Sequence, residues 1–218
     1  VGASHLPLRH AVLEEIRRRI IAGEWRPGER IFEDQIAVEL DVSRNPVREA
    51  LQALELEGFV ELEPRRGARV ATVSPERALE LFEVREVLEG LVAALAARKR
   101  TDAELDELRA VLDDGTRAAN GGDLTALPAL NTRFHETLAH AARNGMLAES
   151  IARLSHLIEW IYSQRISERA PRSWDEHGQI VEAIASGDAD AAERIARAHI
   201  AQARDAYLGR LAAQQDGG

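Results

Sequence analysis

The chain has 218 residues with 28 Lys+Arg, 37 Asp+Glu and no cysteine, for a formal net charge of −9 at pH 7. That length holds one large domain or two modest ones. The missing thiols exclude disulfides and any thiolate metal site, and no apolar run reaches the roughly 18 residues that span a bilayer. The acidity argues against a nucleic-acid surface over the whole chain, but it is uneven. Up to Ser74, 11 Lys+Arg stand against 13 Asp+Glu, and the rest carries 17 against 24, so an N-terminal module can still present a locally basic face. The start shows no secretory-signal pattern, since Arg17, Arg18 and Arg19 interrupt an amphipathic stretch, and a cytoplasmic location is expected.

In chain order, LRHAVLEEIRRRIIAG (8–23) predicts a helix with Val12, Leu13, Ile16, Ile20 and Ile21 as its apolar stripe, ended by Gly23. WRPGER is a turn by its Pro-Gly pair. A short helix over Glu33–Asp41 buries Ile36, Ala37 and Leu40. Val42 and Ser43 then lead into a third helix, with Ser43 as N-cap, Pro46 in the first turn, Val47, Leu51 and Leu54 inward, and Gly58 at its end. FVELEP and RVATV alternate around the tight turn RRGA, which predicts a hairpin. Helix, helix, tight turn, helix and hairpin within about 70 residues is the order of a winged helix-turn-helix module.

The third helix opens on VSRNPVREAL, an unusually polar first turn. A recognition helix enters the major groove N-terminus first, so that turn must carry groups that reach phosphates and base edges. Arg44 and Arg48, four apart, share a face and can pair two-pronged with guanine, while Ser43 and Asn45 suit phosphate or adenine. The wing tip Arg65-Arg66-Gly67 sets cations beside a glycine that permits close backbone approach. The competing reading has Ser43 merely capping a helix whose arginines pair with Glu49 or Asp41 on a solvated face.

The run GERIFEDQIAVELDVSRNPVREALQALELEGFVELEPRRGARV resembles the N-terminal domain of GntR-family bacterial transcription regulators, with a match over about residues 8–73. The resemblance implies that Ser43, Arg44, Asn45, Pro46, Arg48, Arg66 and Gly67 occupy DNA-contacting positions. It also implies a homodimer on a short palindromic operator. Asp34 departs from the pattern, because some members place an arginine near DNA at that position.

After Ser74 and Pro75 the pattern turns all-helical, with six helices expected at 75–100, 102–120, 123–142, 145–169, 173–187 and 188–213. Thr101 with Glu104 forms a capping box, and NGGD, NG, AP and SGD act as punctuation. The expected architecture is therefore mainly α: a winged helix-turn-helix domain over 1–74, then an effector-binding and dimerisation bundle over 75–218.

Three histidines in that bundle sit on inward stripes. His135 lies four residues after Asn131 and three before Leu138, His177 precedes Ile180, Val181 and Ile184, and His199 follows Ile195 by four. Three imidazoles and an amide oxygen could converge on a divalent transition metal, Zn²⁺ first, with Ni²⁺, Mn²⁺ or Fe²⁺ as alternatives. Taken singly, each is read more simply as a satisfied core histidine. Arg85 replaces an aliphatic on the stripe Ala78, Leu81, Arg85, Leu88, Val92 and so requires an anion, either an internal Glu such as Glu89 or a carboxylate ligand.

VREVLEG, the stretch from Asn131 to Leu138, EHGQIVEAI and AHI make residues 75–213 similar to the FCD ligand-binding domain of the FadR subfamily, and six helices resemble its VanR-type branch. This implies that Asn131, His135, His177 and His199 are metal ligands, that Arg85 contacts the carboxylate of a small organic acid effector, and that repression is the commoner action. The family's first ligand is frequently Asp, where this chain has the neutral Asn131. Two other readings of the site are a regulator that senses the metal ion itself and a metal-dependent hydrolase or oxygenase. Against the enzyme, the sequence offers no general base beside the cluster.

Overall fold

A computed structural model describes residues 5–63, 67–163 and 169–215. The chain divides into two compact units, Val1–Val73 and Ser74–Gly218.

In the first unit α1 (His5–Ile21), α2 (Glu33–Glu39) and α3 (Arg44–Leu56) close around Val12, Ile16, Ile20, Ile36, Val47, Leu51 and Leu54, all of which are buried. β2 (Val60–Glu63) and β3 (Gly67–Val70) form the expected hairpin, with Val60 opposite Val70 and Leu62 opposite Ala68. A third strand, β1 (Arg30–Ile31), pairs antiparallel with β3 to give the order β1-β3-β2. Its two residues are too short to show an alternation in sequence. The second helix is shorter than expected. It ends at Glu39 because Asp41 takes a left-handed φ of 51°, and the Val42 amide turns back to the Ala37 carbonyl at 2.9 Å. At the hairpin, Gly67 has φ +87°, and a Cβ there would stand 2.9 Å from the Ile31 carbonyl oxygen. Both the backbone angle and the approach of β1 therefore require glycine.

The second unit contains α4 (Pro75–Lys99), α5 (Asp102–Gly121), α6 (Leu127–Ala141), α7 (Gly145–Ser163), α8 (Ala170–Ala185) and α9 (Ala189–Gln215). Ser74 caps α4 by accepting from the Arg77 amide at 3.2 Å. The Thr101–Glu104 capping box opens α5, with the Thr101 amide donating to Glu104 Oε2 at 2.6 Å. Two starts differ from expectation. α6 begins at Leu127, not 123, because Gly122 and the Asp123–Thr125 turn (Thr125 Oγ1 donating to Asp123 Oδ1, 2.7 Å) precede it and Pro128 sits in its first turn. α8 begins at Ala170, not 173, because Pro171 is tolerated in the first turn instead of marking a break. The expected end of the preceding helix, 164–168, lies outside the described residues. A continuous core of Leu108, Val111, Leu127, Phe134, Leu138, Ile180, Val181 and Ile184 fills the bundle. Among the described residues no helix is long and apolar enough to cross a membrane.

Candidate functional site

Because α6, α8 and α9 each turn one histidine inward, His135, His177 and His199 meet inside the bundle at 4 %, 0 % and 3 % exposure. Their potential ligand atoms all lie within 4.8 Å of one another. His177 Nε2 and His199 Nε2 approach to 3.2 Å. Two nitrogens bound to one ion at about 2.0–2.1 Å stand roughly 2.9–3.4 Å apart, depending on the angle between them, so the spacing fits a shared divalent metal. Both nitrogens of His135, and His177 Nδ1, are buried without hydrogen-bond partners. Leaving His135 Nε2 unsatisfied is costly unless something binds it, whereas His177 Nδ1 lies on the far side of its ring from the Nε2 that meets His199.

Two of the outer nitrogens, those of His199 and His135, face carboxylates. His199 Nδ1 is 2.8 Å from Glu176 Oε2, which also accepts from Arg169 Nη2 at 2.6 Å. His135 Nδ1 lies 2.7 Å from Glu89 Oε2, close but not aligned as a hydrogen bond. A carboxylate on Nδ1 fixes the tautomer that leaves Nε2 as a lone-pair donor, the arrangement that metal-binding imidazoles favour. Around them, Phe134 stacks on His177 (centroids 4.0 Å apart, 15°) and Trp174 meets it edge-on at 4.8 Å. Burial, reinforced by the neighbouring His199 and His135, pushes His177 well below the ordinary histidine range. Burial likewise pushes His199 down to about 4, against the opposing hold of Glu176. Both rings are thus neutral at pH 7, the form that can ligate a metal.

Asn131 is buried one turn before His135 on α6. Arg85, 4 % exposed, donates from Nε to Glu89 Oε1 at 2.7 Å. The internal-partner reading of Arg85 therefore describes the structure, and an effector would have to engage the guanidinium donors outside that bond. Burial alone would raise the Glu89 carboxyl, but Arg85 and His135 together hold it well below the carboxylate range. Glu176 and the second role of Glu89 escaped the sequence reading, which found no general base or nucleophile beside the cluster. Glu176 lies four residues before Ile180 and so on the inward stripe. Both acids face the histidine rings from behind, which suits orientation rather than proton transfer.

In the first unit, Ser43 precedes α3 without a side-chain capping bond, and Ser43, Arg44, Asn45 and Arg48 are exposed. Pro46 is instead buried, so its ring shapes the turn from inside and offers no outward surface. Arg65 and Arg66 lie outside the described residues. The arginines do pair with acids, but not with Glu49 or Asp41. Arg44 Nε is 2.8 Å from Asp34 Oδ1, and Arg48 Nη2 is 2.9 Å from Glu33 Oε2. Glu49 instead accepts from Asn45 Nδ2 at 2.7 Å. A groove of about 640 Å³ runs between α2, α3 and the hairpin.

Residues 8–70 match the bacterial regulatory proteins, gntR family, and residues 80–202 match the FCD domain. The chain is similar to an uncharacterized HTH-type transcriptional regulator, YdhC, of Bacillus subtilis, with 30 % identity over 85 % of this chain and 84 % of that one. It is also similar to the HTH-type transcriptional regulator LutR of the same organism, at 31 % over 86 % and 95 %. Among solved structures, McbR/YncC of E. coli superposes with a TM-score of 0.82 over 94 % of this chain and 98 % of that one, at 22 % identity, a likeness of fold.

Proposed function

The chain belongs to the GntR family of bacterial transcription regulators and carries an FCD domain, and from that premise we propose that it is an effector-responsive regulator whose helical unit holds a divalent metal beside a small carboxylate. The observation that carries the reading is the convergence of three buried imidazoles, with His135 Nε2 unpartnered and carboxylates beside two of the rings. His135, His177 and His199, with Asn131 on the same helix, would hold the ion, Zn²⁺ first. When bound, the metal supplies a Lewis-acid anchor for an anionic oxygen. Arg85 orients the effector carboxylate through donors not used by Glu89, and Glu89 and Glu176 keep the rings turned so that Nε2 faces the ion.

Operator contact belongs to the start of α3, with Arg44 and Arg48 reading the groove and Ser43 and Asn45 positioning on phosphate. A homodimer on a palindromic operator fits this assignment. The exposed apolar stripe Val84, Val87 and Leu91 on α4 supports self-association through that helix. Effector binding then changes operator affinity, most simply by relieving repression, to the extent that the effector prefers one of two conformations. The Arg85–Glu89 pair favours one second reading. The buried guanidinium already has its anion, so the ion itself can be the signal.

The test is a thermal-shift screen of small carboxylic acids on the Zn²⁺-loaded chain, followed by DNA binding with and without the best hit. Stabilisation by one acid and altered DNA affinity are expected. A response of DNA affinity to chelation alone, with no acid having any effect, would replace the carboxylate reading with the metal-sensor one.

A further inference from the structure

The arginines at the start of α3 are paired with acids of α2. Among the described residues, the groove between α2, α3 and the hairpin carries three cations, Arg30, Arg44 and Arg48, and three anions, Glu33, Asp34 and Glu63. Each cation is paired with one of those anions: Arg30 with Glu63 at 3.1 Å, Arg44 with Asp34 at 2.8 Å and Arg48 with Glu33 at 2.9 Å. The Arg48 pair is forked, with Nε also 3.4 Å from Glu33 Oε1. Glu33 thus presents two acceptors to one guanidinium, as guanine O6 and N7 do. Both acids come from the first turn of α2, so one element aligns them along the recognition arginines.

We infer that Glu33 and Asp34 are specificity-determining residues, internal competitors that hold Arg44 and Arg48 until a matching base edge displaces them. The inference rests on the assignment of α3 as the DNA-reading helix. Its physical content is an exchange. A free arginine gains a phosphate contact and releases counterions on any duplex. A paired arginine must first give up a carboxylate, so a lone phosphate returns little net gain. A two-pronged base contact replaces the fork with an equivalent one and keeps the positioning contacts around it. Non-specific affinity is therefore suppressed more than operator affinity, in keeping with a unit whose overall charge is slightly negative.

The experiment uses the full chain and a random-sequence DNA duplex, so no operator is needed. Affinity is measured over a salt series for the wild type, Asp34→Asn, Glu33→Gln, Arg44→Ala, Arg48→Ala and the paired doubles. Exposed pairs of this kind predict a rise of roughly two- to fivefold in random-duplex affinity for each acid neutralised. The salt dependence should steepen by about 0.9 in logarithmic slope for each arginine freed to reach a phosphate. The deciding result is the cycle: Asp34→Asn should tighten binding when Arg44 is present and do nothing when it is Ala, and Glu33→Gln should depend on Arg48 in the same way. Equal tightening with and without the arginine would reduce the acids to bulk charge and overturn the inference, as would no tightening at all. If Arg44→Ala and Arg48→Ala weaken binding while the acid variants do nothing, only this inference falls. If the arginine variants also leave affinity unchanged, the DNA-interface assignment falls with it.

Discussion

Two helical glycines of the bundle differ in what a methyl group would meet, and the difference predicts opposite signs for the same substitution. A Cβ on Gly115 of α5 would lie 2.0 Å from Cη2 of Trp174, whereas one on Gly178 of α8 would meet only Leu112 Cδ2 at 4.0 Å. In a helix interior Gly→Ala gains about 1 kcal/mol. At Gly178 nothing offsets that gain, so Gly178→Ala should stabilise by about 0.5–1 kcal/mol. At Gly115 the indole has nowhere to go, since it is 2 % exposed and wedged between Phe134 (centroids 6.0 Å apart) and His177 (4.8 Å). Overpacking typically costs 1–3 kcal/mol, and a contact this short against a fixed ring belongs at the upper end. Gly115→Ala should therefore lose about 2 kcal/mol net. For a unit of this size about 1 kcal/mol moves Tm by roughly 2–4 °C, which gives a drop of about 4–8 °C against a rise of about 1–4 °C for Gly178→Ala. Thermal unfolding of both variants followed by circular dichroism checks this. A Tm for Gly115→Ala that is unchanged or raised would show that Trp174 yields freely and that the wall of the histidine cluster is not the rigid surface described.

Glu89→Gln and Glu176→Gln should each weaken Zn²⁺ binding by about 10- to 100-fold while all three histidines remain. Competition with a chromophoric chelator reads this, and unchanged affinity would remove the carboxylates from the site's working parts. Arg85→Ala leaves Glu89 buried without its guanidinium and should cost about 3 kcal/mol or more in urea unfolding. Arg85→Lys keeps a charge but loses the planar donor set, so it should fold well and bind a stabilising carboxylic acid more weakly. Undiminished binding in Arg85→Lys would place the carboxylate elsewhere.

Much of this architecture was legible because it is written in periodicity. The stripes of α1, α3 and the bundle helices, the capping residues Ser74 and Thr101, and the alternation around the hairpin are local patterns. The inward placement of His135, His177 and His199 followed from the same arithmetic, although their convergence depends on how three helices pack, which spacing does not encode. What was missed is non-local or too short to be periodic. β1 exists only because β3 lies beside it. Glu176 sits on an inward stripe, but a charged residue there reads as solvated unless its partners, Arg169 just before α8 and His199 on another helix, are brought to it. The pairing of Arg44 with Asp34 and of Arg48 with Glu33 joins two helices across a tight turn. Sequence reasoning looked for acids close in sequence and so named Glu49 and Asp41 instead.

Metal content tests the central claim most directly. The 218-residue chain is stripped with chelator, reloaded separately with Zn²⁺, Ni²⁺, Mn²⁺ or Fe²⁺, passed through a desalting column and assayed for bound metal beside His177→Ala. The account predicts about one ion retained per chain, lost on His177→Ala, with a higher Tm for the loaded wild type. A wild type that retains no Zn²⁺, Ni²⁺, Mn²⁺ or Fe²⁺ would contradict it and return the three histidines to the status of core residues.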